Sequence, residues 1–108
     1  MEICPDFRAR ATRHVLEAFD IELSELLSHR RQRHLVHARA MFVWLVRTYR
    51  PDASYPCLGR CLGRDHTTIM NLYRIACRLR LEDRQFDQRC EDFAAHCRAN
   101  LEVPHACA

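Results

Sequence analysis

The sequence of 108 residues contains no lysine, so that all 17 of its basic residues are arginine. The phosphate-binding loop of many nucleotide hydrolases requires a lysine after its glycines, and this chain cannot supply one. Glycine, with 2 residues, and proline, with 4, are also scarce. Because turns and short strands depend on these residues, the composition favours helices. We therefore expect an all-α protein that has no nucleotide cofactor.

Two further absences concern the membrane and secretion. No apolar run is long enough to cross a bilayer, and the N-terminal stretch MEICPDFRAR lacks the basic-then-apolar order of a signal peptide. The 7 cysteines are odd in number and form no C-x-x-C pair, which is typical of reduced residues that pack as small apolar groups. We expect a single cytoplasmic domain over residues 1–108, with no membrane association.

The sequence pattern favours neither a metal site nor a catalytic site. Cys57 and Cys61 are four residues apart, and His34 and His37 precede them as conceivable zinc ligands. Structural zinc sites usually have shorter cysteine spacings, so packing is the favoured interpretation of these two cysteines. No serine has an acid and a histidine arranged as partners for nucleophilic catalysis. We expect a protein that is not an enzyme and binds no metal.

Charge is distributed unevenly along the chain. Residues 1–28 contain three arginines and six acids, net −3, and residues 82–108 have the same counts. Residues 29–81 contain eleven arginines and only two acids, Asp52 and Asp65, net +9. The planar guanidinium group suits phosphates and guanine edges. A basic centre between acidic ends predicts a surface that binds a polyanion, with nucleic acid as the first candidate.

Apolar periodicity and capping residues predict about six helices. A first helix is expected over residues 6–19 with Asp6 as its N-cap, and a short helix over residues 23–27 should bury Leu23, Leu26 and Leu27. The basic segment 28–34 is expected to be an exposed loop or a frayed helix start. A long helix over residues 33–49 should end before Pro51, and the last helix should span residues 83–99.

The segment between the long helix and the last helix predicts a helix-turn-helix. Ser54 is a capping residue followed by Pro56, which is typical of a first helical turn, and Gly63 supplies the left-handed conformation that ends a helix. Asp65 then caps the next helix. Two helices joined by a tight turn that contains glycine form the helix-turn-helix unit of many DNA-binding proteins.

The first residues of the second helix in such a unit enter the major groove of DNA. These residues are Arg64, Asp65, His66, Thr67 and Thr68. Threonine offers a methyl group and a hydroxyl, histidine a donor or acceptor, and aspartate an acceptor for cytosine N4. The alternative is that Asp65 is only a cap and that the threonines are only tolerated in the first turn.

Several segments together resemble one family. The segments are GRDHTT at 63–68, SELLS at 24–28 followed by RRQR at 30–33, RAM at 39–41, SYPCLG at 54–59 and CEDF at 90–93. In this order they resemble the C-terminal DNA-binding domain of the bacterial chromosomal replication initiator DnaA, over about residues 11–95. The resemblance implies a Trp-repressor-like helical domain that binds, as a monomer, an asymmetric AT-rich box with a TTAT end and a CACA end.

The resemblance also implies roles for individual residues. Arg31 matches the basic-loop arginine that enters the minor groove at the AT-rich end, where the narrow groove concentrates negative potential. The positions that match base contacts are Pro56, Asp65, His66, Thr67 and Thr68. The positions that match groups near phosphates or base edges are Arg39, Arg47 and Arg64. Arg30 and Arg33 in the same loop, and Tyr55 beside Pro56, complete the predicted DNA-binding set.

Two functions remain open from the sequence. The first is sequence-specific binding to DnaA-box-like sites on double-stranded DNA, without the ATPase motor, by a nucleoid-associated regulator of replication initiation or of transcription. The second is a protein-interaction module that keeps the same fold and binds a protein partner through its acidic ends or its last helix. The basic centre and the RDHTT stretch favour the first.

Overall fold

A computed structural model of the chain describes the backbone of residues 5–107 and the side chains of residues 5–98. All regular secondary structure in this range is helical. The six helices are α1 (Pro5–Phe19), α2 (Leu23–Leu27), α3 (Arg33–Tyr49), α4 (Tyr55–Leu62), α5 (His66–Glu82) and α6 (Arg84–Cys107). The prediction of an all-α fold with about six helices is confirmed.

Helix α3 forms the centre of the core. Leu35, Phe42 and Leu45 on one face are buried, and residues on its other sides are buried as well, including Ala40, Met41 and Val43. A helix that is apolar on nearly all sides must be covered by its neighbours. Helices α5 and α1 provide most of this cover, and α2 and α6 provide the rest.

Helix α6 is held against the core by aromatic rings and by one arginine. Phe93 packs edge-on against Phe7 of α1, with 5.8 Å between ring centroids. Arg80 of α5 lies 2.8 Å from both Asp87 and Glu91 of α6, and its guanidinium group stacks over Trp44. The acidic last helix is therefore paired with α5 near the end of that helix.

Three details of the helix prediction are wrong. In α2 only Leu26 is buried, whereas Leu23 is 48% exposed and Leu27 is 40% exposed. A helix of five residues on the surface turns only one side toward the core. Helix α1 begins at Pro5, so that Asp6 lies in its first turn and is not its N-cap. Helix α6 continues past residue 99 to Cys107.

The cysteines whose side chains the structure describes pack as predicted or lie partly covered. Cys57, Cys90 and Cys97 are buried, and burial raises the pKa of the Cys90 thiol to about 11. Cys4 and the side chain of Cys107 lie outside the described residues. Within the described part of the chain, no group of three or more histidine, cysteine or acidic side chains is placed to hold a metal ion. No helix in that part combines the length and apolar character of a membrane span.

Candidate nucleic-acid interface

Helix α4 begins and ends at the residues that the sequence indicates. The Ser54 hydroxyl accepts a hydrogen bond from the Cys57 amide at 3.1 Å, and Pro56 lies in the first turn, where its missing N–H costs nothing. Gly63 ends the helix with φ 67° and ψ 38°, a left-handed conformation that glycine adopts without steric penalty. The turn into α5 is therefore only Gly63, Arg64 and Asp65 long.

The tightness of this turn depends on a second glycine, inside α4. The Arg64 amide donates to the Gly59 carbonyl at 2.8 Å, which folds the chain back over the last turn of α4. As a result, a β-carbon on Gly59 would lie much closer to the Arg64 carbonyl oxygen than van der Waals contact allows. Gly59 thus sets the close packing of the turn on α4.

Asp65 caps α5 as predicted. Its Oδ1 accepts a hydrogen bond from the Thr68 amide at 2.9 Å. This bond and a further one from the Thr68 side chain lower the pKa of Asp65, whose carboxylate is fully exposed. Asp65 is therefore ionised at neutral pH, and one of its oxygens serves the cap. The first helical residues, His66, Thr67 and Thr68, are all exposed.

Arg39 lies largely beneath the surface, on α3. The residue is only 4% exposed and donates to backbone carbonyls around the end of α2. Its Nε bonds Leu26 O, its Nη1 bonds Arg30 O and its Nη2 bonds Ser28 O, each at 2.7 Å. Burial, followed by the nearby charge of Arg64, lowers the pKa of Arg39. These donors hold the basic loop, residues 29–32 between α2 and α3, and a direct contact of Arg39 with DNA stays a prediction.

Arg64 also donates to backbone carbonyls, although it is only half-buried. Its Nη1 bonds Leu62 O in the last turn of α4 at 2.7 Å, and its Nη2 bonds Ser28 O. Ser28 is the C-cap residue of α2 and the first residue before the basic loop. Arg64 therefore connects the turn of the helix-turn-helix directly to that loop.

The basic loop and the start of α5 line one cleft of about 670 Å³. From the loop come Arg30 and Arg31, and from the start of α5 come Thr67 and Thr68. The exposed arginines thus stand beside exposed hydroxyl groups with a gap between them. The arrangement places a positive charge suited to phosphates or a narrow groove next to groups suited to base edges.

A second depression, of about 540 Å³, lies at the turn between α4 and α5. It is lined by Pro56, Arg60, Asp65 and His66, together with Arg64, which lines the cleft as well. The predicted site residues of α4 and α5 therefore meet along the turn. Arg64 is the lining residue that the cleft and this depression share, and we take the two together as the candidate interface.

Three predicted site residues lie away from these two cavities. Arg33 is exposed at the start of α3, but it lines a different depression, which it shares with Asp83. Arg47 is half-buried, donates to Ala53 O at 2.7 Å and stacks over Tyr55 with 4.6 Å to the ring centroid. Arg47 and Tyr55 thus brace the loop before α4, and contacts of these three residues with DNA stay predictions.

The structure also adds residues that the prediction missed. Asn71 and Arg74 on α5, and His29 in the basic loop, are exposed and line the same cleft as Thr67. Positions 67, 71 and 74 lie on one face of a helix because they are four and seven residues apart. That spacing was available in the sequence and could have identified Asn71 and Arg74.

Together, the fold and the cleft define an all-helical, helix-turn-helix DNA-binding domain whose recognition helix adjoins a basic loop. Comparison with known families identifies the family to which this helix-turn-helix domain belongs. Residues 10–75 match the family model described as bacterial dnaA protein helix-turn-helix. The match covers more than half of the 108 residues. The chain therefore belongs to the DnaA C-terminal helix-turn-helix family, a family of domains that bind double-stranded DNA.

Curated relatives agree with this assignment. The chain is 34% identical over 74 residues to the chromosomal replication initiator protein DnaA of Aromatoleum aromaticum. The matched region covers 68% of this chain and 15% of that protein. The chain is 38% identical over 63 residues to the protein of the same name from Rhizobium meliloti, covering 57% of this chain and 13% of that one. The matched region thus spans about one seventh of the length of these relatives.

Proposed function

We propose that this chain binds an asymmetric, AT-rich box of the TTAT…CACA type in double-stranded DNA. His66 and Thr67 would read base edges in the major groove at the CACA end, and Arg31 would enter the minor groove at the AT-rich end. The cleft that places the loop arginines beside Thr67 and Thr68 is the observation that carries the proposal. Asn71 extends the same face, and asparagine can form paired hydrogen bonds with adenine.

The proposed role is regulation at such sites, either of replication initiation or of transcription. A chain without lysine has no phosphate-binding loop of the usual kind, so we propose that it does not hydrolyse nucleotides. We also propose that it binds DNA as a monomer, because an asymmetric box does not present two identical half-sites. In this role it would occupy boxes that the full-length initiator also recognises. The regulatory effect would then come from competition for the site or from the position of the site relative to a promoter.

Substitutions of Thr67 and Arg31 test the two kinds of contact. Thr67→Ala is expected to weaken binding to the box alone, by about 1–3 kcal/mol, the usual worth of a base contact. Its binding should keep the salt dependence of the unsubstituted protein. Arg31→Ala is expected to weaken binding to all duplexes and to lower the slope of log K against log salt by about one unit, since one charge that displaces counterions is lost. It should also weaken binding to the box more than to the scrambled duplex, because it removes the group that reads the AT-rich minor groove. Fluorescence anisotropy on matched box and scrambled duplexes measures both quantities.

The control for this pair is Arg84→Ala, which removes an exposed arginine from the acidic last helix. It should leave both box affinity and salt slope unchanged. Circular dichroism must show each variant folded, because Thr67 lies in the first turn of α5. If folded Thr67→Ala weakened every duplex equally, residues 63–68 would act only as a turn and cap, and the proposed base reading would be wrong.

A further inference from the structure

The two halves of the proposed interface belong to segments that are far apart in the sequence. The basic loop follows α2, whereas the recognition helix is α5, and Ser28 and Arg64 are separated by 36 residues. DNA with an asymmetric box presents the two halves of its site at a fixed distance and a fixed rotation. A protein that reads both halves at once therefore needs the loop and the helix to be held at a matching separation.

One carbonyl group joins these segments. Ser28 O accepts hydrogen bonds from Arg39 Nη2 of α3 and from Arg64 Nη2 in the turn before α5. Arg64 Nη1 at the same time bonds Leu62 O at the end of α4. The guanidinium group of Arg64 thus spans the end of α4 and the end of α2, and its planar, rigid fork fixes their relative position.

The two guanidinium groups repel each other, so their approach needs compensation. It comes from the carbonyl oxygens at the end of α2, which carry partial negative charge and accept from both side chains. Arg39 is buried in this arrangement, while Arg64 remains half-exposed at the edge of the cleft. Hydrogen bonds from the buried Arg39 and from the half-exposed Arg64 therefore both hold the start of the basic loop in place.

We propose that Arg64 is a positioning residue: its bridge from Leu62 O to Ser28 O sets the spacing between the basic loop and the recognition helix, and thereby the spacing of the two box halves that the chain accepts. This inference rests on the proposed binding to an asymmetric box. It gives Arg64 a different role from a phosphate or base contact. A direct contact would add the same affinity to every duplex that offers that contact, whereas a positioning residue changes which spacing is preferred.

The test compares three duplexes: the box, the box with one base pair inserted between its AT-rich end and its CACA end, and a scrambled sequence. The insertion moves the halves apart by about 3.4 Å and rotates one against the other by roughly a tenth of a turn. The unsubstituted protein should prefer the box over the inserted box by about tenfold or more, the scale of losing a base contact. Arg64→Ala should reduce this ratio to about threefold or less.

The other variants make the result specific. Arg64→Lys keeps the charge without the fork, and should also lose spacing discrimination, whereas Arg84→Ala should keep it. If Arg64→Ala lowered affinity for the box and the inserted box by the same factor, the residue would be a direct contact and the positioning role would be overturned.

A measurement without DNA separates this inference from the proposed function. In ¹⁵N relaxation of the full chain, the backbone order parameters of residues 29–32 should be near 0.85, a rigid value, and should fall below about 0.6 in Arg64→Ala. Unchanged order parameters would overturn the positioning role whatever the duplexes show. The two proposals can fail separately. If the unsubstituted protein did not prefer the box over the scrambled duplex, the proposed function would be wrong. If Arg64→Ala still lowered the order parameters of the loop, the role of Arg64 in positioning the loop would be supported.

Discussion

Replacing Gly59 with alanine is expected to destabilise the domain by about 2–3 kcal/mol, although alanine is normally the better helix residue by roughly 0.5–1 kcal/mol. Alanine is expected to lower the stability here because its β-carbon would overlap the Arg64 carbonyl oxygen. That oxygen belongs to the backbone and cannot move away as a flexible side chain would. Relief requires the turn to lift off α4. The start of α5 would then shift relative to the basic loop, so that DNA binding should fall together with stability.

Urea denaturation followed by circular dichroism measures this prediction, and Gly63→Ala is its matched control. A β-carbon at Gly63 meets no atom within 4 Å, so only the left-handed backbone, with φ 67°, opposes it. That conformation costs about 1–2 kcal/mol for alanine, and Gly63→Asn should restore part of the loss. A Gly59→Ala variant as stable as the unsubstituted protein, or more so, would contradict the described packing of the turn.

Replacing Arg39 with methionine is expected to lower the free energy of unfolding by about 3 kcal/mol or more. Methionine keeps an unbranched apolar stem but removes the donors that reach Leu26 O, Ser28 O and Arg30 O. These carbonyls lose a charged donor, and the loop that carries Arg30 and Arg31 loses its attachment to α3. Box affinity should consequently fall even though Arg39 itself lies beneath the surface.

Two further variants interpret the result for Arg39. Arg39→Lys retains the charge but reaches fewer carbonyls, so it should recover only part of the stability. Arg60→Met removes an exposed arginine from α4 and should change the free energy of unfolding by at most about 0.5 kcal/mol. Equal effects of Arg39→Met and Arg60→Met in chemical denaturation would show that the buried hydrogen bonds contribute little.

Local signals explain why much of the fold was predictable. The cap at Ser54, the left-handed Gly63 and the cap at Asp65 each act within a few residues, and the structure has all three where the sequence indicates them. The same holds for α3, whose apolar pattern and following Pro51 gave its bounds. Helix bounds of this kind depend on interactions along the chain and not on partners distant in sequence.

Features that depend on distant partners were predicted less well. Arg39 matches a position near phosphates or base edges in the family, and its burial was not foreseen, because the carbonyls that accept its hydrogen bonds belong to a segment up to 14 residues earlier in the chain. Likewise, nothing local distinguishes Leu26 from Leu23 in α2, because burial depends on which side of the helix meets α3 and α1. The close approach at Gly59 and the bridge through Arg64 also exist only once the helices have packed.

The most direct test of the proposed function is the ratio of two dissociation constants for the unsubstituted chain. Anisotropy titrations at about 0.15 M salt would compare a duplex carrying the TTAT…CACA box with a scrambled duplex of the same length and composition. Binding through the cleft and the recognition helix predicts that the box binds roughly a thousandfold tighter, or more. Affinities for the two duplexes that agree within about threefold, over moderate salt, would contradict sequence reading by this domain.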